Sequence, residues 1–170
     1  MSRLNFACGS SRWEGFDNSD INRAPGTSYV DLTDFPYPYD DESAELIMIS
    51  HSIQITVEGK RVIDVPRFLR ECHRILEPRG WLRVNDNPLR LYRDSDVIDP
   101  WERSEESHRG FPPELRISRD EFSGMLISAG FALVREGPPS QTVIPCEGAV
   151  RAAVLGNHLF HPSIAIEAQK

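Results

Sequence analysis

The residues that could do chemistry sit at the ends of short apolar runs. The first run, Leu4-Asn5-Phe6, ends in Ala7-Cys8-Gly9-Ser10-Ser11. Such a run reads as a buried strand, and the small residues after it form a turn that lets a ligand approach the backbone. Open α/β sheets bind ligands at the carboxyl ends of their strands, which marks this turn first. Asp20 follows eleven residues after Gly9, and Asp31-Leu32 comes after a further strand-like piece from Thr27 to Val30. A carboxylate at the end of a second strand can accept hydrogen bonds from both hydroxyls of a ribose. His51 leaves the continuous apolar run Leu46-Ile47-Met48-Ile49 together with Ser50. Its imidazole suits proton transfer near neutral pH. Asp86 and His108 are further acid–base candidates. Each has a plainer alternative: a turn that is only a turn, an Asp31 that caps a surface turn, a His51 that only packs.

The elements that must position these groups are legible from spacing. Leu46 to Ile49 reads as a central strand covered on both faces. Val65, Phe68, Leu69, Cys72, Ile75 and Leu76 fall at helical spacing on one apolar face, with Pro66 in the first turn and Pro78-Arg79-Gly80 at the end. Arg67, Arg70, Glu71 and Arg74 are expected on a solvated face, and Cys72 as an inert core thiol. Trp81 to Asn85 reads as the next strand. Ser118-Arg119-Asp120-Glu121 is a capping box that opens a helix with Phe122, Met125, Leu126 and Ala129 on one face and Gly130 at its end. Phe131 to Arg135 is a strand, and Ile164 to Glu167 alternates toward a closing one.

Two stretches constrain the design. Residues 10–19 must hold a turn, any helix and the second strand, whereas a full βαβ crossover needs about a dozen residues or more. The first helix is therefore at most one or two turns, with Trp13 expected as a packing aromatic. Phe35-Pro36-Tyr37-Pro38-Tyr39 cannot be helical, and Pro25-Gly26 signals a turn. Residues 87–117 have no period and read as an insertion that contacts substrate or forms a lid; Tyr92, Trp101, His108, Arg109 and Phe111 are its candidate contacts. Residues 137 to 162 form a proline-bearing connection without a legible pattern.

The chain has 170 residues and reads as one domain over 1–170. A net charge of −7 argues against a large nucleic-acid-binding surface. Cys8, Cys72 and Cys146 form no CxxC pair, so neither a zinc site nor a disulfide framework is expected. Asp40-Asp41-Glu42 reads as a solvated acidic loop, and no metal is expected. No apolar stretch is long enough to span a membrane and no signal peptide opens the chain, so a cytoplasmic location is the default.

The order of motifs resembles the small class I S-adenosylmethionine-dependent methyltransferases of the type 11 kind. It runs Leu4 to Gly9, Gly15-Phe16-Asp17-Asn18-Ser19-Asp20-Ile21, Asp31-Leu32-Thr33, Phe35 to Tyr39, Ser43 to Ile47, Ser50 to Ile53, Phe68 to Gly80, Ala129-Gly130-Phe131 and Ser163 to Ala168. The resemblance implies an α/β, Rossmann-like, open seven-stranded and mostly parallel sheet flanked by helices. The implied order is 3-2-1-4-5-7-6, with the last strand antiparallel. The helix that many relatives carry before the first strand has no room here, so the cofactor is expected to be covered from elsewhere or to lie more open. The implied cofactor is S-adenosylmethionine, held by Phe6, Ala7, Cys8, Gly9, Asp20, Ile21, Asp31, Leu32, Ser50 and His51, with Asp20 on the ribose and Asp31-Leu32 by the adenine. The implied reaction is methyl transfer to an O or N atom of a small-molecule or saccharide acceptor. Departures are Ala7, Arg79 where relatives have a glycine, and Gln54-Ile55 where relatives often have Glu-His. They motivate an alternative, a catalytically inactive binding module of the same fold. An NAD-dependent oxidoreductase ranks below both, because a full G-x-G-x-x-G is absent. An uncovered cofactor edge would be consistent with a homodimer.

Overall fold

The computed structural model describes residues 2–9, 12–50, 56–57, 60–61, 63–86, 117, 119–137 and 164–170. Seven strands form one sheet: β1 (Ser2–Phe6), β2 (Asp17–Asp20), β3 (Ser28–Tyr29), β4 (Ala44–Ser50), β7 (Leu76–Asp86), β8 (Leu133–Gly137) and β9 (Ile164–Gln169). A small hairpin, β5 (Thr56–Val57) with β6 (Lys60–Arg61), stands apart and had no signature in the sequence. The sheet order is β3-β2-β1-β4-β7-β9-β8. The strands from β3 to β7 are parallel, and β9 runs antiparallel between β7 and β8. Counted along the chain within this sheet, that is the expected 3-2-1-4-5-7-6.

Two helices are described, α1 (Val65–Ile75) and α2 (Arg119–Ser128). Both pack on the same face of the sheet. Strand side chains alternate between faces, and Leu4, Phe6, Ile47, Ile49, Leu82, Val84, Ile166 and Ala168 share one core with Phe68, Leu69 and Cys72 of α1 and Phe122 and Leu126 of α2. Burying each large apolar side chain contributes roughly 1.5–3 kcal/mol, so this core carries the domain. The opposite face holds Leu46 and Met48 beneath Trp13, with Phe16 and Trp81 beside them. Trp13 is thus the packing aromatic expected of it. On that face Arg83 lies directly opposite Glu167 across β7 and β9. Both are buried, with Nη1 and Oε1 4.0 Å apart.

α1 starts on Asp64, whose carboxylate accepts the Arg67 N–H at 3.1 Å, with Pro66 in the first turn. It stops at Ile75 rather than at Pro78, because Leu76 turns extended and enters β7 at once. Its outer face is only partly solvated, against expectation. Glu71 accepts the Tyr37 N–H, while Arg74 donates to the carbonyls of Tyr37 and Tyr39 and pairs with Glu71 and Asp41. These bonds hold the proline-bearing stretch against the helix, and the Arg74 bond holds Glu71 below the usual carboxylate range. Cys72 is fully buried and its thiol is pushed up by burial, so it is inert as expected.

The turn at Pro25-Gly26 is present: Thr27 N–H bonds the Ala24 carbonyl at 3.1 Å and Gly26 has φ +77°. α2 ends as its glycine implied. Gly130 N–H bonds Ile127 and Phe131 N–H bonds Leu126, closing a Schellman motif around Gly130. The Ser118 cap and the 87–117 insertion lie outside the described residues, apart from Ile117, which is buried. The strand expected at Phe131 begins two residues later, at Leu133, because Phe131 is used in closing that motif and packs into the core.

Two backbone positions generate opposite predictions. Gly130 has φ +105°, and a Cβ there would lie 2.8 Å from His73 Nε2. Gly130→Ala is expected to destabilise by about 2 kcal/mol in urea unfolding. Arg79 has φ +71°, left-handed backbone that suits glycine. Arg79→Gly is expected to raise stability by about 0.5–1 kcal/mol in the same measurement, since the backbone bonds of Arg79 to Lys170 and Gln169 survive the change.

Candidate active site

Parallel pairing brings the first four strands of the sheet to one carboxyl edge. Phe6 is level with Ser19 and with Ile49, and Asp20 with Tyr29. Ser50 at the end of β4 is level with Asn85, which precedes Asp86 at the end of β7. The order reverses between β1 and β4, and in open α/β sheets the crevice outside such a reversal is the ligand site. Ala7, Asp20, Asp31, Ser50 and Asp86 therefore sit along one edge by backbone position.

The first turn is built on the Asp20 carboxylate, which is almost completely buried. Its Oδ2 accepts the Gly9 N–H at 2.9 Å. Its Oδ1 accepts the Asn22 N–H at 2.8 Å and the Asn22 Nδ2 at 3.0 Å. Cys8 N–H bonds the Ser19 carbonyl at 3.0 Å, so the turn is tied to β2 by backbone and side chain together. Ala7 and Gly9 both take left-handed backbone, φ +50° and +53°. Among the described residues, nothing lies within 4 Å of a Cβ built on Gly9, so the turn is open there. Cys8 is buried. Its thiol pKa is raised, first by burial and then by the Asp20 charge, which keeps it protonated and poorly nucleophilic.

No helix is described between β1 and β2. Only residues 7–16 lie between them, and an amide does the work a helix would do. Asn18 is buried within β2. Its Oδ1 accepts from Asn5 Nδ2 at 2.8 Å and from Trp13 N–H at 2.9 Å, and its Nδ2 donates to the carbonyls of Trp13 at 2.9 Å and Phe16 at 3.0 Å. This pins the crossover on the sheet and seats Trp13 in its core. Arg12, further along the crossover, reaches over the edge to the Pro25 carbonyl. Asn18, Asn22 and Arg12 were not singled out in the sequence. The signal for Asn18 was an amide in the middle of a short strand, where its low β propensity is out of place.

The expected site residues divide. Gly9 and Asp20 are in direct contact, with Ala7 and Cys8 in the same turn. Ile21 is 56% exposed beside them, an apolar surface at the edge. Asp31 also does what the plainer alternative held: its Oδ1 accepts the Thr33 N–H at 2.8 Å and hydroxyl at 2.7 Å, capping a turn. Phe6 and Leu32 turn their side chains into the core. Phe6 is fully buried against Tyr37, Tyr39 and Phe68, and Leu32 lies in the same core, so only their backbones reach the edge. Ser50 and Asp86 are placed by backbone alone, and His51 and His108 lie outside the described residues. No metal-ligating cluster is found among the described residues.

This sheet order matches the Rossmann-like fold of the S-adenosylmethionine-dependent methyltransferases. Residues 17–84 match the family described as Methyltransferase domain. The matched segment, 68 of the 170 residues, and the fold both resemble those of methyltransferases that use S-adenosylmethionine. Among solved structures, the chain is similar to a methyltransferase of Thermotoga maritima described as a possible histamine N-methyltransferase. The identity is 18%, coverage 99% of this chain and 82% of that one, and the TM-score 0.58. An S-adenosylmethionine-dependent methyltransferase of Mesorhizobium loti matches at 19% identity over 99% and 90% of the two chains, TM-score 0.57. A phosphoethanolamine N-methyltransferase of Haemonchus contortus, solved with phosphomonomethylethanolamine and S-adenosylhomocysteine, matches at 11% identity over 100% and 49%, TM-score 0.55. No curated protein sequence matches the chain significantly. The geometry fits the cofactor: open backbone at Gly9 and a carboxylate at the end of β2 are what an adenosine bearing a charged side chain needs.

Asn18→Ala removes the partner of the Trp13 backbone groups and of the Phe16 carbonyl. It is expected to destabilise the protein by about 2–4 kcal/mol in chemical denaturation.

Proposed function

We propose that this domain transfers a methyl group to an O or N atom of a small-molecule or saccharide acceptor. The observation that carries the cofactor side of this reading is the Asp20 clasp on Gly9, at the carboxyl edge where the strand order reverses. When bound, the cofactor supplies an activated methyl carbon. The protein then has mainly to align it with an acceptor lone pair, and orientation can account for much of the rate. Asp20 holds the ribose, the Ala7–Gly9 turn lies along the methionine part, and Ile21 and Asp31, with the backbone at Leu32, border the adenine. His51, Asp86 and His108 are the acid–base groups for an acceptor that must lose a proton. The net charge of −7 disfavours a polyanionic acceptor such as nucleic acid. The small amine compounds named for the Thermotoga and Haemonchus proteins are in keeping with a small acceptor.

Calorimetric titration with S-adenosylmethionine, S-adenosylhomocysteine and NAD tests this. Micromolar binding of the first two and none of NAD is the expected result. Asp20→Ala should lose about 1–3 kcal/mol of that affinity as charge-assisted hydrogen bonds go. Unchanged affinity would remove Asp20 from the ribose. Absence of binding by the native protein would favour the binding-module reading.

A further inference from the structure

We propose that Asn22 is a gate on the cofactor site: its side-chain amide occupies the acceptor position on Asp20 that one ribose hydroxyl needs, and binding exchanges the one for the other. The inference rests on the cofactor reading above and concerns a residue that reading does not use.

The argument is a count of lone pairs. An ionised carboxylate offers about four acceptor sites, two on each oxygen. Asp20 Oδ2 has given one to Gly9 N–H. Oδ1 has given one to Asn22 N–H and one to Asn22 Nδ2. One site remains, on Oδ2. Two ribose hydroxyls need two sites, and Asp20 is only 7% exposed, so the carboxylate cannot simply turn to water for another arrangement. Of the three present donors, two are backbone. Gly9 N–H is fixed by the turn, and Asn22 N–H by a chain segment held at Ala24 N–H to Asn22 O, 2.8 Å. The Asn22 side chain is the one donor that can leave by bond rotation, and Asn22 itself is exposed. It keeps the carboxylate satisfied when no ligand is present and yields when a hydroxyl arrives.

The exchange makes two results follow in calorimetric titrations with S-adenosylhomocysteine and its 2′-deoxy and 3′-deoxy analogues. Asn22→Ala should bind S-adenosylhomocysteine about three- to tenfold more tightly than the native protein, because no bond has to be given up. In the native protein, removing the hydroxyl that displaces Asn22 should cost little, since the amide returns to Oδ1. In Asn22→Ala the same removal should cost about tenfold. Asn22 is exposed, so the variant is expected to fold, and its melting temperature verifies this. Native protein that binds while Asn22→Ala binds equally or more weakly would overturn the gate and leave the cofactor reading standing. The same deoxy penalty in both proteins would do likewise. Native protein that does not bind at all would overturn both.

Discussion

The crossover between β1 and β2 is too short for a full-length helix, and much of this protein follows from that. Parallel neighbours normally need about a dozen residues or more to return the chain. Here residues 7–16 must do it. A loop laid on a sheet face carries backbone groups that need partners, and leaving them unmet would cost about 1–3 kcal/mol each. Asn18 meets three of them from within β2, at Trp13 N–H, Trp13 O and Phe16 O. The loop can then press Trp13 onto Leu46 and Met48 and close that face of the sheet. The same tightness draws Gly9 onto Asp20, so the constraint that shapes the crossover also shapes the ligand edge.

The two faces of the sheet consequently differ. One is a continuous apolar core under α1 and α2, where shape and volume decide stability. The other mixes the Trp13 cluster with buried polar groups, the Asn5–Asn18 amide pair and the Arg83–Glu167 pair. Buried polar groups are tolerated only when paired, and they then specify one arrangement over others. The proline-bearing segment on the first face is held in the same spirit. Glu71 and Arg74, on what looked like a solvated helix face, bind its backbone at Tyr37 and Tyr39. Tyr37 is buried and Tyr39 partly so, and burial raises the pKa of both phenols, which keeps them neutral. Tyr37 donates to the Leu32 carbonyl and Tyr39 to Asp17.

The ligand edge illustrates a general economy. Asp20 organises the first turn and is also the group proposed to meet the ribose. A carboxylate that serves both purposes must have spare acceptor capacity, and its neighbours decide how much. Asn22 is the neighbour with freedom to change that. Ala7 and Arg79, the departures marked by the resemblance in the sequence, both take left-handed backbone. Neither departure disturbs the clasp; each adds local strain at a turn whose shape the surrounding bonds impose.

What the sequence determined on its own was everything that has a period or a conformational requirement. The apolar run of β4, the amphipathic stripe of α1, the turn at Pro25-Gly26 and the end of α2 at Gly130 are local properties, because side-chain spacing and allowed φ are local. The order of motifs then carried the sheet topology through resemblance, and Asp20 after Gly9 marked the edge. What only the tertiary structure decided depends on which groups meet across the chain. Asn18 reaches Trp13 only because the crossover folds back, Arg74 reaches Tyr37 and Tyr39 only because that segment lies along α1, and Arg83 faces Glu167 only because β9 inserts antiparallel between β7 and β8. Phe6 and Leu32 turned inward for the same reason: strand side chains alternate, and the three-dimensional core, rather than nearness to a motif, chose the face.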